Sequence, residues 1–289
     1  MSVLDTWFFT TFVSSPEHFY GRFGPVWCHI IPWASVTLYY LSLSLLPQYL
    51  GKGHKGFRKE IKWLAVFWNL GLSIISGLIL VGIGIPYWEQ VKQDGWWNVF
   101  CDPPANLQRG VRPSIFWGHV FAVSKYVELF DTIILILKDP GRKLLFLHWY
   151  HHITVLIFTW YGELYFLSVG YQYVMANAFV HLLMYFYYFL AELGVKPGLP
   201  WQIGMTSIQI LQMVYGIGCS AIWVKMYLDG WNCSCDRPHL VIIGGSLIYI
   251  SYFYLFLTMF FERYVWGKKK TPSSSSSSSG GRKGKPKDQ

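Results

Sequence analysis

The chain has 289 residues, of which 53% are hydrophobic and 13% are Asp, Glu, Lys or Arg, whereas charged residues make up roughly 25% of an average soluble domain. This shortage of charge argues against a soluble globular protein, a disordered chain or a small disulfide scaffold, and apolar runs without alternation exclude a β-barrel porin. The net charge of +9 is spread along the chain in a way that indicates membrane topology rather than a nucleic-acid partner.

Six long stretches contain no Asp, Glu, Lys or Arg, and each is long enough to cross a bilayer, which takes about 20 apolar residues. They are 23–51, 63–88, 144–162, 164–191, 197–224 and 238–261. A seventh segment, 113–137, is apolar except for Lys125, Glu128 and Asp131. The sequence therefore predicts an all-α polytopic membrane protein with seven transmembrane helices.

Positive charge is distributed unevenly between the two sets of alternate predicted loops. One set holds 17 Lys and Arg residues and the other holds 5. The richer set consists of 47–62, 138–143, 193–199 and 262–289. By the positive-inside tendency this set is cytosolic, so we expect a luminal N-terminus and a cytosolic C-terminus.

The chain divides into two parts by composition. Residues 1–267 are expected to form the seven-helix membrane domain. Residues 268–289 contain the run Ser273–Ser279 and a basic end, which is typical of a disordered cytosolic tail.

The predicted third span carries the first polar cluster. At about 100° per residue, its four polar residues share an arc of roughly 120°. They are Lys125, Glu128, Asp131 and Thr132. Polar groups inside a span are costly and usually face a cavity or the bundle interior. For Lys125 with Glu128, a structural ion pair and a catalytic or binding role are both open interpretations.

Three histidines lie at the predicted cytosolic start of the fourth span. His148, His151 and His152 occupy positions i, i+3 and i+4, which places the three imidazoles on one side of a helix. We call these three residues the histidine box. Their side chains are suited to metal ligation, proton transfer or nucleophilic attack.

The fifth and sixth spans also carry polar stripes at helical spacing. The stripes consist of Asn177, His181, Tyr185 and Tyr188, and of Thr206, Gln209 and Gln212. For the glutamines alone, hydrogen bonding between membrane helices is the alternative interpretation. Taken together, the stripes predict that four helices face one cavity.

Four ordered motifs resemble the ELO family of very-long-chain fatty acid elongases. They are K-x-x-E-x-x-D-T at 125–132, H-x-x-H-H at 148–152, N-x-x-x-H-x-x-M-Y-x-Y-Y at 177–188 and T-x-x-Q-x-x-Q at 206–212. The resemblance covers roughly residues 20–267, and 147–154 is most similar to members that act on saturated and monounsaturated chains. The segment 200–205 lacks a lysine that many members carry there.

The resemblance implies a 3-ketoacyl-CoA synthase of the endoplasmic reticulum membrane. Such an enzyme condenses a long-chain acyl-CoA with malonyl-CoA and releases CO2 and CoA, without a metal or other cofactor. A tunnel that opens to the cytosol and closes near the lumen would hold the acyl chain. The partners implied are the ketoacyl reductase, dehydratase and enoyl reductase of the elongation cycle, with a homo- or hetero-oligomer also open.

Helical spacing and side-chain chemistry suggest roles for individual residues, and the choice of His151 rests on the resemblance. His151 would be the nucleophile, with His148 and His152 orienting it or transferring protons, His181 acting on malonyl-CoA and Asp131 orienting a histidine of the box. The substrate-binding residues would be Lys125, Glu128, Thr132, Asn177, Tyr185, Tyr188, Gln209 and Gln212.

Family members often pair cysteines in the two predicted luminal loops. The resemblance therefore implies a disulfide between Cys101 and Cys233, with Cys235 as the alternative partner and three unpaired thiols as the other possibility. Asn232 begins a glycosylation sequon of a rare type.

The C-terminal residues carry a possible targeting signal. Lys285 and Lys287 match a K-x-K-x-x retrieval pattern, for which a generic basic tail near anionic lipid is the alternative.

Two other classes of function are compatible with parts of the sequence. A di-iron lipid desaturase or hydroxylase also uses membrane histidines, but its centres usually need several separate histidine clusters. A seven-helix receptor or transporter is suggested by helix number alone and gives no reason for three histidines on one face.

Overall fold

A computed structural model describes residues 24–51, 55–101, 112–165, 167–195, 197–231, 233, 235 and 237–266. Every regular element in these ranges is helical, in agreement with the predicted all-α fold. The predictions for Lys285, Lys287, Asn232 and the tail at 268–289 lie outside the described residues.

Seven long helices and one short helix follow one another along the described ranges. They are α1 (Gly24–Leu50), α2 (Lys62–Asp94), the short α3 (Asn98–Cys101), α4 (Arg112–Lys138), α5 (Phe146–Leu164), α6 (Gly170–Glu192), α7 (Leu199–Leu228) and α8 (Pro238–Phe260). A π-helical turn, Phe261–Trp266, continues α8. Gly194, with φ of +97°, follows α6, where glycine adopts the left-handed conformation at least cost.

Five of these helices are long and apolar enough to cross a membrane. They are Val26–Leu50, Lys62–Asp94, Gly170–Glu192, Leu199–Leu228 and Pro238–Trp266. Large apolar side chains such as Phe67 and Leu211 are exposed on their outer faces, as expected where helices contact lipid. The chain is therefore a polytopic α-helical membrane protein.

Six long helices pack side by side into a closed ring. The order around the ring is α2, α4, α5, α8, α7 and α6, and α6 packs in turn against α2. Helix α1 lies outside the ring against α4 and α5. This arrangement turns the inner faces of α4, α5, α6 and α7 toward a common interior.

One end of the ring is closed by a buried cluster at α3, the turn between α5 and α6, and α7. The Ser168 hydroxyl donates to the Phe100 carbonyl (2.9 Å) and accepts from Trp223 Nε1 (2.8 Å). Beside this cluster, Cys101 and Cys233 are joined by a disulfide. The pairing links α3 to the segment that precedes α8.

Candidate active site

The interior of the ring contains a polar cavity of about 520 Å³. His148, His151, His152 and His181 all line it. Its mouth lies at the end of the ring where α4 and α6 end and α5 and α7 begin. The polar residues at the mouth are Lys138, Arg142, Glu192, Gln202 and Arg263.

A second, mainly apolar cavity of about 130 Å³ lies deeper in the ring. His151, Asn177, Gln212 and Met213 line both cavities, so the two spaces meet at these residues. The apolar cavity continues along α5 as far as Glu163. At 1.5 Å per residue this path is about 18 Å long, which is comparable with one leaflet of a bilayer whose apolar core is roughly 30 Å thick.

The histidine box forms a compact group of rings at the junction of the two cavities. Ring centroids are 4.7 Å apart for His148 and His152 and 5.6 Å apart for His151 and His152. His181 approaches from α6, with its ring centroid 6.5 Å from that of His151. Within the described ranges, no group of three or more His, Cys, Asp or Glu side chains is arranged to hold a metal ion.

His148 is held by a chain of hydroxyl groups from α1 and α4. The Thr132 hydroxyl lies 2.8 Å from His148 Nε2 and 2.7 Å from the Tyr39 hydroxyl. Thr132 is completely buried. Because a buried hydroxyl has few alternative partners, this contact restricts the orientation of the His148 ring.

A buried ion pair on α4 contacts the residues that line the cavity. Lys125 Nζ donates to Glu128 Oε1 (2.7 Å) and to the Asn177 side-chain oxygen (3.0 Å). The structure contains the Lys125–Glu128 ion pair that one of the two interpretations predicts. Glu128 Oε1 also lies 3.6 Å from His181 Nδ1, which is beyond hydrogen-bond distance, so the carboxylate faces the His181 ring without binding it directly.

Three residues expected to bind substrate are positioned differently. Lys125, Glu128 and Thr132 are buried, at 2%, 3% and 0% exposure, and line neither of the two cavities described above. They contact the cavity-lining residues Asn177, His181 and His148 instead. Their polar groups are engaged within the bundle by these contacts.

Asp131 also has partners other than those expected. Its oxygens accept from Trp68 Nε1 (2.5 Å) and from the Tyr185 hydroxyl (2.6 Å). The prediction placed this carboxylate against a histidine of the box. In the structure the contact with His148 comes from Thr132, and the carboxylate that faces an imidazole is Glu128.

The other predicted substrate-binding residues line the cavities. Asn177 and Gln212 line both cavities, and Tyr185, Tyr188 and Gln209 line the polar one. Gln209 Nε2 donates to Met184 Sδ at 3.4 Å, which is a weak contact. The stripes on α6 and α7 thus face one cavity, as their helical spacing predicts.

Three aromatic side chains that contact the site belong to none of the four sequence motifs. The Tyr252 hydroxyl donates to the His151 carbonyl (3.3 Å), and its ring centroid is 5.0 Å from that of His151. Tyr39 and Trp68 reach Thr132 and Asp131 from α1 and α2. A single aromatic residue in an apolar helix does not stand out, because such residues are common in membrane spans.

Comparison with known proteins identifies relatives across most of the chain. Fatty acid elongase 1 of Trypanosoma cruzi (strain CL Brener) is 36% identical over 225 residues, 77% of this chain and 76% of that protein. Very long chain fatty acid elongase 4 of the same organism is 31% identical over 264 residues, 86% of each chain. Very long chain fatty acid elongase 6 of Mus musculus is 35% identical over 219 residues, 75% of this chain and 79% of that protein.

A family model gives the same assignment. The model described as ELO: GNS1/SUR4 family matches residues 27–272. This match includes the histidine box, both cavities and all four polar motifs. The chain therefore belongs to the ELO (GNS1/SUR4) family.

Proposed function

We propose that this protein is the condensing enzyme of very-long-chain fatty acid elongation. It joins a long-chain acyl-CoA to malonyl-CoA and yields 3-ketoacyl-CoA, CO2 and CoA. The observation that carries the proposal is the position of His151, which lines both the polar and the apolar cavity. An acyl-CoA has a polar and an apolar part that meet at the thioester, and the position of His151 at the junction of the two cavities supports a role at this bond.

In the first step, the His151 imidazole attacks the thioester carbonyl carbon. The carbon–sulfur bond breaks, the acyl group stays on His151, and the imidazole proton passes to the CoA thiolate. His148 and His152 lie close enough to assist this transfer, since all three rings form one group. CoA then leaves, and the acyl chain occupies the apolar cavity.

In the second step, malonyl-CoA loses CO2 and becomes an enolate. The enolate carbon attacks the acyl carbon, the bond to His151 breaks, and the imidazole recovers a proton from solvent. His181, which faces Glu128, acts in this step, and the Asn177 side-chain amide donates a hydrogen bond to the enolate oxygen. Tyr185 lines the same cavity, but its hydroxyl donates to Asp131.

The mouth of the polar cavity suits the CoA phosphates. Arg142 and Arg263 line it together with Lys138, which pairs with Glu192. Arginine binds phosphate through planar, bidentate hydrogen bonds. These side chains offer positive charge at the mouth, where the segment 200–205 carries none.

The membrane arrangement follows from the same proposal. All seven long helices cross the endoplasmic reticulum membrane, the mouth faces the cytosol, where positive charge is enriched, and the disulfide end faces the lumen. Tags at the two termini of protein in sealed microsomes test this arrangement. Protease should remove the C-terminal tag and spare the N-terminal one, and the reverse pattern contradicts the proposed orientation.

The elongation proposal is tested by incubating purified protein with palmitoyl-CoA in the absence of malonyl-CoA. One equivalent of CoA should be released, and intact mass should show one palmitoyl adduct. His151→Ala should abolish the adduct. His239→Ala is the matched control, because His239 is exposed and lies against Tyr227 outside both cavities.

Two outcomes contradict parts of the proposal. A stoichiometric adduct that survives in His151→Ala places the nucleophile elsewhere. Condensation with malonyl-CoA but no adduct in any variant favours direct condensation over a covalent intermediate.

A further inference from the structure

Three neighbouring aromatic rings line the apolar cavity on the side of the histidine box away from the mouth. They belong to Phe158, Tyr173 and Tyr249, and all three line the cavity. Ring centroids are 6.3 Å apart for Phe158 and Tyr173 and 4.8 Å apart for Tyr173 and Tyr249. We call these three rings the aromatic collar.

The collar lies partway along the path of the acyl chain. Phe158 follows His151 by seven residues on α5, and seven residues of helix rise by about 10 Å. The cavity continues past Phe158 to Glu163. A long acyl chain bound to His151 therefore passes alongside these rings, whereas a short one ends near them.

Two of the three rings pack against glycines of neighbouring helices: Phe158 against Gly245 and Tyr249 against Gly216. A Cβ atom at Gly245 of α8 would lie 2.9 Å from Phe158 Cζ and 3.1 Å from Cε2. A Cβ atom at Gly216 of α7 would overlap the Tyr249 ring. Any larger residue at either position would displace the ring, because packed interiors leave no spare space of that size.

We infer that Gly216 and Gly245 determine the length of acyl chain that the enzyme accepts. Without a side chain at these positions, the rings of Tyr249 and Phe158 can pack against the helix backbone instead of extending into the cavity. The inference rests on the elongation reaction proposed above. A ring displaced by a methyl group moves toward the cavity, which is the open side. Either displaced ring would narrow the part of the cavity that the collar lines.

The test compares Gly245→Ala and Gly216→Ala with wild type in condensation of decanoyl-, palmitoyl- and stearoyl-CoA. The ratio of kcat/KM for palmitoyl-CoA to that for decanoyl-CoA should fall about tenfold or more, as pocket changes of one methylene typically produce. The fall in kcat/KM relative to decanoyl-CoA should be greater for stearoyl-CoA than for palmitoyl-CoA. A purely structural defect would lower the rates for all three substrates equally.

Each variant has a matched control on the same helix. A Cβ at Gly244 of α8 or at Gly218 of α7 has nothing within 4 Å. Gly244→Ala and Gly218→Ala make the same chemical change and gain the same helix propensity. They should leave the palmitoyl to decanoyl ratio unchanged.

A second-site variant tests the displacement itself. Phe158→Leu removes much of the ring that Gly245→Ala displaces, so the double variant should recover the long-chain preference. Phe158→Leu alone should raise the relative rate on a methyl-branched long-chain acyl-CoA, which gives a second readout if the glycine variants fail to fold.

The inference is overturned if the glycine variants keep the wild-type ratio, if the control glycines lower it equally, or if Phe158→Leu leaves the branched-chain rate unchanged. Absence of condensation by the wild-type protein with every acyl-CoA would instead overturn the proposed function.

Discussion

Thr132 Oγ1 lies 2.8 Å from His148 Nε2, and this contact joins α4 to the histidine box on α5. The same hydroxyl lies 2.7 Å from the Tyr39 hydroxyl, so α1 contributes to the site although it lies outside the helix ring. The three side chains form one hydrogen-bonded row. The row fixes one imidazole of the box without a charged group.

Thr132→Val should lower kcat by about tenfold, because it replaces the hydroxyl by a methyl group and leaves His148 without its hydrogen bond. KM for palmitoyl-CoA should change little, since Thr132 lines neither described cavity. Thr132→Ser keeps the hydroxyl and should retain most of the rate. Steady-state kinetics on detergent-purified variants measure both values, and equal losses in the two variants would contradict a hydrogen-bonding role.

Asp131→Asn should preserve folding and lower the condensation rate roughly tenfold. Asparagine keeps only one acceptor oxygen, whereas Asp131 accepts from both Trp68 and Tyr185. Tyr185 would therefore lose its orientation in the polar cavity. If the effect passes through Tyr185, Asp131→Asn should add little to the loss caused by Tyr185→Phe. Full additivity in this double-variant cycle would show that Asp131 acts by another route.

Lys125→Met should destabilise the protein by about 3–5 kcal/mol, because it leaves the buried Glu128 carboxylate without its cation. The double change Lys125→Met with Glu128→Leu removes both charges and should recover much of that loss. Activity should stay low in the double variant, since Glu128 also faces His181. Thermal unfolding in detergent measures stability, and an equally unstable double variant would mean that the pair is not the cause.

Cys101→Ser should lower stability by about 2–4 kcal/mol, because the disulfide to Cys233 closes a loop with a sequence separation of 132 residues and such cross-links restrict the unfolded chain. Peptide mapping without reducing agent should recover the Cys101–Cys233 pair. A cross-linked peptide that contains Cys235 instead of Cys233 would identify Cys235 as the partner of Cys101. Alkylation of all three thiols in unreduced protein would rule out a disulfide at this end of the ring.

Replacing Lys285 and Lys287 with serine should let part of the protein leave the endoplasmic reticulum, if these lysines form a retrieval signal. Imaging of tagged protein together with glycan processing of a fused reporter measures the escape. Replacing Lys268 and Lys269 is the control, because it removes the same charge outside the terminal pattern. Unchanged residence of the terminal variant would leave the tail as a basic segment without a retrieval function.

The sequence by itself determined the helical architecture and the sides of the helices that face the interior. A shortage of charge and long apolar runs are sufficient to predict membrane helices, since a bilayer tolerates little else. Spacing of three and four residues likewise places His148, His151 and His152 on one side of α5. The first inference concerns local composition and the second concerns local spacing, and a single segment carries both without reference to its neighbours.

Only the tertiary structure decided which polar groups meet. The sequence paired Asp131 with a histidine, but the hydroxyl of Thr132 holds His148, while Asp131 binds Trp68 and Tyr185. Adjacent residues on α4 point in directions that differ by about 100°, so the partner of each depends on how the neighbouring helices are placed around the ring. The glycines that seat the aromatic collar were equally invisible, because a missing side chain has meaning only beside the ring that fills its space.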